Sequence, residues 1–300
     1  MSFSKEILRC PLCASPLERE GKSLVCTGTD KRHTYDVAKE GYVNLLPPGK
    51  GKNAHTGDDA AMVRARAEFL NTGAYGRLSD EVARLIDGYT CAKELTVVDS
   101  GCGEGYHTCR FTSALQSAGR RVRTAAFDAS KHAAAAGAKR AVRNALSAKD
   151  GVGASFDGDS YAAFMAGNIF SLPVAESCAD AVVSMFAPIA WDENRRVLKN
   201  GGILVVAASG EDHLLEMRQF IYDEVIKKAP EVIPAEGFEE VCHTGVRYTH
   251  TLTSSAEIMD LFGMTPFCYK TPREAVERLS ALESLTVTVS TDYFVFRCVK

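Results

Sequence analysis

Two groups of residues in this 300-residue chain have types and spacing that could do chemistry. The first is Cys10-Pro-Leu-Cys13, followed by Cys26 and His33, in the spacing C-x2-C-x12-C-x6-H. Two thiols two residues apart can approach one metal ion from the same side, and the proline stiffens the turn between them. Zinc takes four soft or borderline ligands in a tetrahedron; three cysteines and a histidine leave no open position, so the ion would be structural. Imidazole suits zinc better than a lone carboxylate, which favours His33 over Asp30 as the fourth ligand. The second group is Asp99-Ser100-Gly101-Cys102-Gly103-Glu104-Gly105, directly after the strand-like run Leu-Thr-Val-Val. Alternate glycines permit positive φ and let a ligand come close to main-chain N–H groups. The helix expected from Tyr106 onward would aim its N-terminus at the same spot.

The glycine spacing differs from the dinucleotide fingerprint G-x-G-x-x-G, because position 106 is a tyrosine. D-x-G-x-G-x-G instead resembles the first motif of Rossmann-like S-adenosylmethionine (SAM) methyltransferases. Such a loop passes under the amino-acid end and ribose of a cationic sulfonium, which favours acidic neighbours such as Asp99 and Glu104. Asp128 ends the next predicted strand, 122–128, and lies 23 residues after Gly105. That is about where doubly wound folds hold the carboxylate that accepts ribose hydroxyls.

The elements that must position these groups follow an α/β alternation. The spacing predicts helix 106–117, strand 122–128, an alanine-rich helix 130–146 with Ser130 as N-cap, strand 162–167, strand 181–186, helix 192–198 and strand 203–208. Asn200-Gly-Gly reads as a chain reversal between the last two. A long amphipathic helix over 212–228 and two late strands, 245–252 and 285–299, read as an antiparallel addition to the sheet edge. Asn168, at the end of the third strand, suits an adenine contact or a plain turn. Upstream, helix 60–70 sets Met62, Val63, Ala67 and Leu70 on one side. Residues 47–53 (PPGKGKN) read as a linker, and the acidic, glycine-rich stretch 150–160 as an insertion.

Apolar content of 46% and charged content of 24% suit a globular protein with a substantial core. No run approaches a membrane span and the first residues lack the apolar core of a signal peptide, so a cytoplasmic location without membrane is expected. The ten cysteines are then thiols or metal ligands rather than disulfides. The net charge of −3 argues against indiscriminate coating of nucleic acid, but residues 1–53 carry nine basic and six acidic side chains.

The zinc knuckle, AKEGYVNLLP, the GD…M…AR…FL…G.Y run from Gly57 to Tyr75, DSGCGEGYHT and FDASK are collinear with a known pattern. So are LP at Leu172, FAP at Phe186, RRVLKNGG, HLLEM at His213 and MTPF at Met264. Together they resemble, across the whole chain, the RlmA family of 23S rRNA guanine-N1 methyltransferases. The resemblance implies a small zinc-binding RNA-recognition module over 1–48 and a SAM-dependent methyltransferase domain over 49–300, with linker and lid helix in 49–90. It implies SAM contacts from Tyr75 and His213 beside Asp99, Gly101, Gly103, Glu104, Asp128 and Asn168, structural zinc on Cys10, Cys13, Cys26 and His33, a 23S rRNA hairpin as substrate, and it allows a homodimer. Ser100, His107 and the longer gap before His33 depart from the pattern.

N1 of guanine carries a proton at neutral pH, so a base must take it. His213, Asp212 and Glu104 are candidates, and the sequence leaves the catalytic residue open. Two other classes of function compete with rRNA methylation: methylation of a small molecule with the zinc module only structural, and a zinc-dependent binding module on an inert domain. The added basic module favours a macromolecular substrate, and the intact glycines and carboxylates disfavour an inert domain.

Overall fold

The computed structural model of the chain describes residues 3–28, 31–47, 57–147 and 161–300. The first part holds α1 (Phe3–Ile7), β1 (Leu17–Glu20), β2 (Ser23–Cys26), β3 (Thr34–Asp36) and β4 (Val43–Asn44). Two helices follow, α2 (Ala60–Asn71) and α3 (Gly76–Tyr89). Then come β5 (Glu94–Ser100), α4 (Tyr106–Ser117), β6 (Arg121–Asp128), α5 (Lys131–Ser147), β7 (Tyr161–Ala166), β8 (Ala179–Met185), α6 (Trp191–Val197) and β9 (Leu198–Ser209). The last part is α7 (Leu215–Ile221), β10 (Phe238–Leu252), α8 (Ser255–Gly263), a 3-10 turn at Pro266–Tyr269, α9 (Arg273–Ser280) and β11 (Leu285–Cys298).

Eight strands form one sheet in the order β10-β11-β9-β8-β5-β6-β7-β4. Strands β4 to β9 pair in parallel, whereas β11 and β10 add antiparallel at one edge. The order reverses between β5 and β8, and ligands of open α/β sheets bind in the crevice at such a switch point. The continuous apolar runs in β5, β6, β8 and β9 reflect burial on both faces. Leu95 and Val97 look toward α3, α4, α7 and α8, and Val98 looks to the other face.

That other face is covered largely by the described residues between Phe3 and Pro47. Ile7, Leu8, Leu17, Leu24, Val43 and Leu45 share one buried cluster with Val98, Phe127, Val182 and Leu204. β4 extends the sheet by pairing with β7, Val43 against Met165 and Asn44 against Ala166. The zinc-spaced segment thus packs as a layer of the larger fold and draws part of its core from the sheet. The expected boundary at residue 48, the linker after Pro47 and the 150–160 insertion fall outside the described residues.

Three expectations need correction. The helix expected over 212–228 is only α7; Tyr222 is extended (φ −122°, ψ 142°), and farther on Ile226 and Ile233 are 80% and 72% exposed, so no core holds a longer helix. Asn200-Gly-Gly lies inside β9 rather than between helix and strand; pairing with β8 steps from Ala179 against Leu198 to Ala181 against Ile203, so residues 199–202 stand opposite Asp180 alone, with Gly201 at φ 77°. α3, for which the spacing gave no separate helix, buries Leu78, Val82, Leu85 and Ile86 against the sheet.

Candidate functional site

Strand β5 ends at Ser100, and the chain turns through three residues with positive φ: Gly101 (96°), Gly103 (54°) and Gly105 (81°). The N–H groups of Gly101 and Cys102 donate to the Phe127 carbonyl, which fixes the loop to the end of β6. A Cβ on Gly101 would come within 2.5 Å of the Ala187 Cβ, and one on Gly105 within 2.7 Å of the Phe164 ring. Gly103 differs: among the described residues, the only atoms within 4 Å of a Cβ there belong to the Arg66 side chain. Its face is therefore open to a ligand.

Acidic groups gather around this loop. Asp99, 3% exposed, accepts from the Thr108 hydroxyl at 2.5 Å, and burial pushes its carboxyl up to about 7. Asp128 accepts from the N–H of Gly103 at 3.0 Å and of Ser130 at 2.8 Å. Burial raises its pKa against those two bonds. Glu104, 1% exposed, pairs with Arg140 at 2.8 Å; burial raises its pKa and the guanidinium opposes the rise. A ligand with hydroxyl donors and a positive centre fits this set of acceptors.

Aromatic groups from distant parts of the chain stand over the same end of the sheet. The Tyr75 hydroxyl lies 3.2 Å from His213 Nε2, and the Ser290 N–H donates to His213 Nδ1 at 3.2 Å. An acceptor Nδ1 puts the proton of a neutral ring on Nε2, and burial keeps the imidazole neutral, with its pKa down to about 4. Phe186 lies 5.9 Å from His213 and 6.4 Å from His107, centroid to centroid. It is 42% exposed and has a φ of 54°, a strained conformation for a bulky residue. His107 holds Ser79 at 2.8 Å, and burial with nearby Arg66, Arg140 and Arg110 lowers its pKa to about 3.

The sequence-predicted residues thus converge, with one placed differently in detail. Asn168 is exposed and its Oδ1 accepts from the Phe170 N–H at 3.0 Å, the geometry of a turn asparagine. Of the candidate bases, Glu104 is engaged with Arg140, Asp212 is held by Arg247 at 2.6 Å, and His213 presents its protonated nitrogen to Tyr75. None is arranged to take a proton. Sequence reasoning passed over Thr108, Arg66 and Arg140, whose helix spacing carries no signal of an ion pair or a buried acceptor.

Residues between Cys10 and His33 build the second centre. The ligand atoms of Cys10, Cys13, Cys26 and His33 all lie within 4.8 Å of one another. A turn through Ala14 (φ 56°), closed by the Ala14 N–H on the Cys10 carbonyl, brings the first two thiols together. Cys26 and His33 face each other across the β2–β3 hairpin, where the Cys26 N–H donates to the His33 carbonyl at 2.9 Å. The hairpin absorbs the long gap between them. Nδ1 of His33 is 3.5 Å from the sulfurs of both Cys10 and Cys26, and the main-chain N–H of His33 donates to the Cys26 sulfur at 3.0 Å. Hydrogen bonds from Ser15 draw the Cys13 thiol down to about 6. Three thiols and one imidazole nitrogen at these separations suit a closed zinc site. Asp30 lies outside the described residues.

Comparison with known proteins agrees with both centres. Residues 8–53 match the family model described as RlmA, N-terminal, a zinc ribbon, and residues 98–206 match a methyltransferase domain. The chain is 31% identical over 300 residues to the putative 23S rRNA (guanine-N(1)-)-methyltransferase YxjB of Bacillus subtilis, covering 96% of each. It is 31% identical to a putative 23S rRNA (guanine-N(1)-)-methyltransferase of Micromonospora griseorubida, covering 94% of each. The 23S rRNA (guanine(748)-N(1))-methyltransferase of Streptomyces fradiae is 34% identical over 211 residues, which span 70% of this chain and 66% of that protein.

Proposed function

The chain belongs to the family of 23S rRNA (guanine-N1-)-methyltransferases with an N-terminal zinc ribbon, and on that premise we propose that it methylates N1 of a guanine in a hairpin of 23S rRNA. The observation that carries the reading is the near-complete, collinear match to relatives named for that reaction. Among the described residues no helix is long and apolar enough to cross a membrane.

SAM, when bound, supplies a methyl group on a positively charged sulfur, and the protein lowers the barrier mainly by setting nucleophile and methyl in line. Asp128 would accept the ribose hydroxyls, Asp99 and Glu104 would supply negative potential, and Tyr75 with His213 would close the site. Phe186, exposed beside the open glycine loop, offers a flat face for a base drawn out of a hairpin loop, where unstacking costs least. The exposed Lys22, Lys31, Arg32 and Lys39 of the zinc module suit phosphate contacts. Cys10, Cys13, Cys26 and His33 would hold zinc and keep that module folded.

The test is incubation with labelled SAM and unmodified ribosomal RNA, followed by reverse transcription. N1-methylation blocks Watson–Crick pairing, so a stop one nucleotide before a labelled guanine is expected. Labelling of a small-molecule extract but not of rRNA would sink the proposal and favour the small-molecule alternative.

A further inference from the structure

Arg66 is the arginine of the AR pair in the run from Gly57 to Tyr75, a position to which the resemblance attaches no role. It lies on α2, with its side chain 23% exposed, and its guanidinium is the only side chain near the open face of Gly103 among the described residues. Two other arginines reach the same site electrostatically, and each is tied to a carboxylate in the loop or its surroundings. Arg110 gives Nε and Nη2 to the two oxygens of Asp80. Arg140 gives Nη2 and Nε to Glu104 and Nη1 to Asn71. Arg66 gives Nη1 to Asp58 and Nη2 to the Met264 carbonyl at 3.4 Å, so its five N–H donors are only partly used. Asp58 is itself anchored, since its carbonyl accepts from the Ser130 hydroxyl at 2.6 Å, and the Ser130 N–H is bonded to Asp128.

A guanidinium on the ligand face of a cation-binding loop needs an explanation. SAM carries a sulfonium, an ammonium and one carboxylate. Two like charges a few ångströms apart repel, most of all in a half-buried site. Asp58 already balances Arg66, and Glu104 and Asp128 lie within its electrostatic reach; the end of the ligand that gains from the guanidinium is the anionic one, and a planar fork of N–H groups matches a carboxylate in geometry as well as charge. We infer that Arg66 binds the α-carboxylate of the methionine moiety of SAM, and that it sets the preference for SAM over ligands with the same nucleoside but no amino acid. The inference rests on the methyltransferase reading and adds a residue to it.

The experiment is calorimetry of the full chain with two probes, SAM and 5′-methylthioadenosine, which keeps adenosine and sulfur but lacks the carboxylate. Arg66→Ala should weaken SAM by about ten- to hundredfold, the range for a hydrogen bond to a charged group. It should leave methylthioadenosine within about twofold, and Arg66→Lys should restore part of the loss. Equal loss for both probes would make Arg66 a fastener of α2 and overturn the inference, as would unchanged SAM affinity. Retained methylthioadenosine binding also certifies that the variant is folded. Failure of the unaltered protein to bind either probe would remove the cofactor reading itself, an outcome distinct from a failure confined to Arg66.

Discussion

The Thr108 hydroxyl donates to Oδ2 of Asp99 across 2.5 Å, joining the first turn of α4 to the end of β5 in a place solvent barely reaches. The bond holds one carboxylate oxygen in place, yet burial still lifts Asp99 to about 7. Binding of a cation favours the ionised form. Above this pKa the carboxylate is ready, and below it a proton must leave first.

SAM affinity should therefore be level above about pH 7.5 and fall as pH drops, by at most about tenfold per unit. Asp99→Asn should bind more weakly with a flat profile. Titration calorimetry in buffers of different ionisation enthalpy reads the proton release directly. A flat profile for the unaltered protein between about pH 5.5 and 8 would uncouple Asp99 from the ligand.

Asp128 is held by two backbone N–H groups and so stays in position whether or not a ligand is present. Asp128→Ala should weaken SAM by about 1.5 to 3 kcal/mol. Unchanged affinity would take Asp128 out of the site.

How much of this was legible in sequence differs by feature. The glycine loop, Asp128 and the zinc ligands were readable because their geometry is local: a strand end, a turn and a hairpin fix them within a few residues. The αβ alternation was readable from hydrophobic period. β4 was not, because two residues carry no periodicity and only the neighbouring β7 makes them a strand. The length of α7 was misread because amphipathic spacing continues past Ile221, although the chain turns extended at Tyr222 and Ile226 and Ile233 find no cover. The left-handed backbone of Phe186 has no sequence signal, since a bulky residue rarely adopts that conformation.

Phe186→Ala should lower kcat/KM for rRNA while leaving SAM affinity unchanged. Base–aromatic stacking is worth about 1 to 3 kcal/mol, or roughly five- to 150-fold in rate. If rRNA methylation is unaffected, the target base rests elsewhere. If SAM affinity falls in step, Phe186 belongs to the cofactor pocket instead.

One zinc ion per chain is expected on Cys10, Cys13, Cys26 and His33. A chelator should raise hydrogen exchange across β1, β2 and β3 and lower Tm, with SAM affinity changed by no more than a few-fold, because the glycine loop and its carboxylates lie on other elements. Metal analysis finding no zinc, or a loss of SAM binding in parallel with the metal, would contradict this separation.

The short strand β4 has one further consequence. It caps the outer side of β7 and so closes what would otherwise be a bare row of N–H and C=O groups. A chain trimmed to its catalytic portion would expose that row, together with the apolar sheet face over Val98, Val182 and Leu204. Both are templates for self-association. The metal-spaced segment therefore also acts as a guard for solubility, and its removal would register first as precipitation of the trimmed protein rather than as a defect in RNA recognition.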